Sequence, residues 1–196
     1  MALEKSNSNR HGSAGEAGFS LIETMIATML LATALVGTAQ LMAVATKGNV
    51  AAKRSTFATT LGQEKMEQLR GLAWGFDAVG LPVSDYTTNL AVDPAGTDGP
   101  GLSPSPTNAL SANVPGYVDY LDRAGNQLAG GAAPPLETAY VRRWSIEPLP
   151  TNPNNTLIMQ VLVFSAGDRV NGAQGAVLER VRDEARLVTV KTRKSR

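Results

Sequence analysis

Cysteine is absent from the chain. That excludes disulfides, thiol catalysis and thiolate metal sites, while leaving the compartment open, because many exported proteins also lack cysteine. Histidine occurs once, as His11 near the N-terminus. Aromatic residues make up 5% of the chain, so any soluble core is small and largely aliphatic. Charge of one sign is not in excess either: 18 basic residues face 17 acidic ones, for a net charge of +1. Bulk charge therefore does not announce a nucleic-acid partner. No glycine-rich phosphate loop with its lysine and no acid-rich loop of EF-hand spacing occurs. Proline is missing from Phe19 to Leu81, which leaves that stretch free to be helical. The chain's 196 residues have room for one domain, or for one small domain and an anchor.

What the chain does have is a long apolar run, Phe19 to Thr46, whose sole ionisable side chain is Glu23. As a helix it would be roughly 42 Å long, against about 30 Å of bilayer hydrocarbon. It is too long for a secretory signal peptide, and Lys5 and Arg10 before it are diluted by Glu4 and Glu16. An ordinary signal anchor is the plain reading. Glu23 departs from it, because an acid inside a span costs a few kcal/mol, about 3, unless it pairs or reaches the interface.

The hexapeptide "GFSLIE", Gly18 to Glu23, resembles the processing site of type IV prepilins and of the pseudopilins of type II secretion. It lies behind a short polar leader and at the start of an apolar span, with the acid in register. The resemblance implies that a prepilin peptidase cuts between Gly18 and Phe19. Phe19 becomes the N-methylated N-terminus, and Glu23 the fifth mature residue. It also implies that Glu23 serves assembly, meeting the N-terminal amine of a neighbouring subunit inside a filament. A buried charge pair of that kind mainly fixes register. Residues 1–18, His11 among them, would be a removed leader. Lys47, Lys53 and Arg54 follow the span closely, and the positive-inside tendency alone would put that side in the cytoplasm. The resemblance implies the opposite: a cytoplasmic leader, a single pass of the inner membrane and a periplasmic C-terminal domain, later carried into a pilus or pseudopilus.

The expected fold is α+β and pilin-like: a long N-terminal helix, membrane-spanning in its first half, packed on a small antiparallel β-sheet. The span covers residues 19–46 and an amphipathic continuation covers 47–73. Ala58, Leu61, Met66, Leu69 and Leu72 recur at helical spacing there, with Glu64, Lys65, Glu67 and Arg70 as a polar face. Gly71 and Gly75 are the expected terminators. Within the span, Thr33 with Gly37 and Ala34 with Thr38 are small-residue pairs that allow close helix approach. Residues 74–196 form the C-terminal domain. Its first part, up to Pro135, reads as loop by composition, with a hairpin near 117–128. Further antiparallel strands are expected near 138–149, 156–164 and 185–192, the last half-buried or at an edge.

No catalytic constellation appears, so the chain reads as a non-enzyme without a cofactor. Asp93 and Asp98 in "DPAGTDG" are weak calcium candidates, an acidic turn pair being the favoured alternative. Arg142 and Arg143 read as solvated residues flanking a packed Trp144. The basic tail from Lys191 to Arg196 reads as solvated too, and DNA is disfavoured as a partner. "TTLGQEKMEQLRGL", Thr59 to Leu72, is similar to a segment of PilV-type minor pilins and of the minor pseudopilin of the I class, with Gly62 where alanine is usual. The absence of a span proline and of a C-terminal disulfide points away from a bulk fibre subunit. Three functions stay open: a minor pilin, a minor pseudopilin, and a single-span membrane-anchored binding protein. For the first two, the implied partners are other pilin or pseudopilin subunits, the prepilin peptidase, the inner-membrane assembly platform and, before assembly, membrane lipid.

Overall fold

The computed structural model describes residues 18–169 and 184–193. The leader expected over residues 1–18 lies outside them except for Gly18. The architecture is α+β: one long N-terminal apolar helix and a small antiparallel sheet. The chain divides into two units, with the boundary between Lys47 and Gly48.

Helix α1, Leu21–Gly71, runs through both units. In the first unit every described side chain is exposed, and the helix is long and apolar enough to cross a membrane. Its threonines do not present free hydroxyls. Thr24, Thr28, Thr33 and Thr38 each donate to the carbonyl three residues back, at 2.9 Å. Thr46 donates to Met42 O at 2.8 Å. Such back-bonding removes the hydroxyl's need for an outside partner.

In the second unit, Gly48 onward, α1 lies against a five-stranded antiparallel sheet of order β4-β3-β5-β6-β7. The strands are β3 Val118–Leu121, β4 Gln127–Gly130, β5 Tyr140–Pro148, β6 Thr156–Ser165 and β7 Ala185–Thr192. A separate two-stranded hairpin, β1 Trp74–Phe76 and β2 Pro82–Ser84, follows the helix. A single turn, α2 Ala166–Arg169, follows β6. The period-two alternation of the strands sorts the side chains. Trp144, Ile146, Leu157, Met159, Val161 and Val163 face α1, where Ala58, Leu61, Met66 and Leu69 meet them. Val118, Tyr120, Val141, Leu162 and Phe164 form a second cluster on the other face. β5 and β6 are thus covered on both faces, as the near-continuous apolar composition of β6 requires.

The helix stops at Gly71, as expected, and its end is capped from β7. Lys191 Nζ donates to Arg70 O at 2.5 Å and to Leu72 O at 2.7 Å. A cation at a helix C-terminus satisfies orphan carbonyls and meets the negative end of the dipole. Arg193 lies over the Trp74 ring, 3.7 Å from its centroid, and donates to Gly75 O and Val83 O. The expectation of a solvated basic tail is therefore corrected for these two residues: backbone carbonyls and an indole face engage them. Lys194 and Arg196 lie outside the described residues. The reading of 74–135 as loop missed the β1–β2 hairpin, whose strands are too short to show a period.

Candidate functional site

The expected processing junction lies ahead of the helix. Gly18, Phe19 and Ser20 precede α1 and are exposed. Ser20 is the N-cap: its Oγ accepts from Ile22 N at 3.3 Å, and its carbonyl accepts from Glu23 N and Thr24 N. "SLIE" also fits the capping-box pattern, but Glu23 does not complete it. The Glu23 carboxylate has no hydrogen-bond or ion-pair partner among the described residues. It lies in the first turn of α1, where the helix dipole favours an acid. A Cβ built on Gly18 would meet nothing within 4 Å. Nothing among the described residues therefore demands glycine at that position.

A second group of polar residues lies where α1 crosses the sheet. Lys65 on α1, Asp119 on β3 and Arg142 on β5 are all buried, Arg142 to 1% exposure and the other two to 0%. Lys65 Nζ is 2.8 Å from Asp119 Oδ2 and also donates to Leu90 O at 2.6 Å. Arg142 grips Asp119 through Nε and Nη2, at 2.9 and 2.8 Å, and donates from Nη1 to Leu61 O at 2.9 Å. Asp119 and Arg142 sit opposite one another in the β3–β5 register, so the strand pairing itself sets up the bidentate contact. Glu64 reaches Arg142 Nη1 at 3.6 Å from a half-exposed position. The Lys65 ammonium also lies 4.8 Å from the Trp144 ring centroid. Burial pushes the Lys65 pKa down from 10.5 to about 8, against the pull of Asp119, and Arg142 pushes it further the same way.

Two expectations are corrected here. Lys65 does not belong to a solvated polar face of the helix; it points into the sheet. Arg142 and Arg143 do not flank Trp144 as solvated residues; both are buried. Arg143, on the opposite face, donates to Asn113 Oδ1 and to Leu110 O, and its guanidinium lies over Phe164, 5.1 Å from the ring centroid. Each arginine is tolerated inside because its fork of donors meets fixed oxygens. The one signal available in the sequence was a double arginine set between Val141 and Trp144 in the middle of a strand.

Asp93 and Asp98 are exposed turn residues. Asp98 takes a positive φ of 62°, and its nearest polar contact is Thr97 Oγ1 at 3.4 Å. Among the described residues no group of three or more His, Asp or Glu side chains comes together to hold a metal.

Comparison of the chain with family models, with curated proteins and with solved structures finds no match.

Proposed function

We propose that this chain is a prepilin-type filament subunit, a minor pilin of a type IV pilus, matured by cleavage between Gly18 and Phe19. The observation that carries the reading is the condition of Glu23. It is a carboxylate at the head of a long apolar helix, and nothing among the described residues pairs with it. A filament supplies the missing partner, the N-methylated amine of Phe19 on a neighbouring subunit. The exposed, non-helical Gly18–Ser20 segment supports the reading as well, since a peptidase needs extended backbone without side-chain obstruction. In this account the span holds the precursor in the inner membrane, with the leader in the cytoplasm, until the assembly platform extracts it.

A minor pseudopilin of type II secretion is the alternative that shares all these features. The helix segment Thr59 to Leu72 is similar to both kinds of subunit. Gene neighbourhood separates them: pilus assembly and retraction genes in one case, secretin and secretion genes in the other.

The test is mass spectrometry of the N-terminal peptide after co-expression with a prepilin peptidase. An N-methylated Phe19 terminus is the expected result. An intact leader on a membrane-bound chain would instead favour the plain membrane-anchored binding protein.

A further inference from the structure

Every threonine hydroxyl in the uncharged stretch Thr24 to Thr46 donates to a carbonyl of its own helix. One polar side chain in that stretch is left over. Gln40 is exposed and makes no hydrogen bond among the described residues. A threonine hydroxyl is short enough to fold back onto the ladder of its own helix. A glutamine amide stands two methylenes out from the backbone. It brings two N–H donors and a carbonyl oxygen with two lone pairs.

Its position along the helix makes that amide costly. The stretch rises about 35 Å against roughly 30 Å of hydrocarbon, so a tilt of about 30° fits it between Glu23 and Lys47. Gln40 then lies about 8 Å beneath the nearer boundary, the one beside Thr46. Lysine and arginine reach such a boundary on stems of three or four methylenes; glutamine has a shorter stem. An amide at that depth is out of water, and acyl chains offer it no partner.

The chemistry of the amide selects what does. A primary amide both donates and accepts, so two of them satisfy one another reciprocally. A second copy of this chain, inserted the same way round, brings its own Gln40 to the same depth with no adjustment. The residues around Gln40 permit the approach. Thr33, Val36, Gln40 and Ala43 follow the alternating three-and-four spacing of a helix-pair seam. Gly37 lies beside them, and a Cβ built there meets nothing within 4 Å. None of these neighbours is bulky enough to hold two backbones apart. The large side chains Leu31 and Met42 fall on the opposite side of the helix from Gln40. A single polar residue at such a seam fixes register, because any slip leaves both amides unpaired.

We propose that two copies of this chain pair side by side and parallel in the bilayer, through reciprocal hydrogen bonds between their Gln40 amides. The inference rests on the span, not on filament assembly. It makes the membrane-held form a dimer.

The cysteine-free chain allows a direct test. Full-length single-cysteine variants are reconstituted in phosphatidylcholine vesicles and oxidised with copper phenanthroline. Ala43→Cys, on the seam, should form disulfide-linked dimers roughly five-fold faster than Met42→Cys, which has nearly the same depth but faces away. Adding Gln40→Leu to Ala43→Cys should remove that advantage. Gln40→Asn keeps the amide and should retain most of it. Gln40 is exposed, so a far-ultraviolet dichroism spectrum equal to the parent's will confirm that these variants fold. Equal rates for Ala43→Cys and Met42→Cys would overturn the inference and assign the amide to headgroups or water. A seam rate indifferent to Gln40→Leu would overturn it as well, leaving shape alone as the attraction. A chain that does not float with the vesicles would overturn the span and the inference together.

Discussion

At Lys65 an ammonium group is held beside one carboxylate and one guanidinium, with water removed from all three. Its pKa is lowered to about 8 from 10.5. Between those values the unfolded chain binds more protons than the folded one. Stability should therefore rise with pH across that window, with a slope of at most about 1.4 kcal/mol per pH unit. The groups facing Lys65 are Asp119 from β3, Arg142 from β5 and Glu64 from its own helix. Urea unfolding from pH 7.5 to 10 should show the rise, and Lys65→Met should flatten it. The same geometry predicts an asymmetry. Asp119→Ala leaves two buried cations facing each other and should cost about 3–5 kcal/mol. Lys65→Met leaves the Asp119–Arg142 pair balanced and should cost clearly less in the same titrations. Gly18→Ala is the opposite kind of change. Its Cβ meets nothing, so unfolding should not move, while gel-shift assays of peptidase processing should show the leader retained.

At the scale of elements, the helix and sheet depend on two contacts across long sequence separations. Lys191→Met would strip β7's cap from the end of α1 and should cost about 1–2 kcal/mol in urea unfolding. Gly62 is the other contact. A Cβ there would lie 2.5 Å from Leu187 Cδ1. That is the movable end of a side chain, so alanine should be nearly neutral, its gain in helix propensity offsetting the repacking. Gly62→Leu should cost about 1–3 kcal/mol by overfilling the same space. Much of this level was legible in the sequence. Apolar spacing marked α1, Gly71 marked its end, the Pro/Asn turn between two strand-like runs marked β5 and β6, and alternation marked β7, each strand to within about two residues. The burial of Lys65 and Arg142 was not legible. Their partner Asp119 is remote in the chain, and only the strand register brings it opposite. A helical wheel sees charged residues and assigns them to solvent; it has no knowledge of a carboxylate waiting in the sheet.

At the scale of the whole molecule, Glu23→Ala separates maturation from assembly. The side chain makes no hydrogen bond or ion pair among the described residues, so the fold should lose at most about 1 kcal/mol of helix-dipole stabilisation. Cleavage after Gly18 should proceed. Incorporation into sheared filaments, measured by immunoblot against the unmodified subunit, should fall several-fold. Normal incorporation would remove Glu23 from the assembly role proposed for it. The first half of α1 also carries its threonines folded back onto the helix ladder, with consequences for whatever surrounds it. Lipid or protein neighbours there meet hydrocarbon, methyl groups and the single amide of Gln40, with no threonine hydroxyl holding out for a match. Such a rod can rotate or slide past its neighbours with only the Gln40 amide left to exchange hydrogen bonds. Grip must come from shape along its length, from one amide at Gln40 and from one charge at its head, a combination suited to the move from membrane to filament proposed for it.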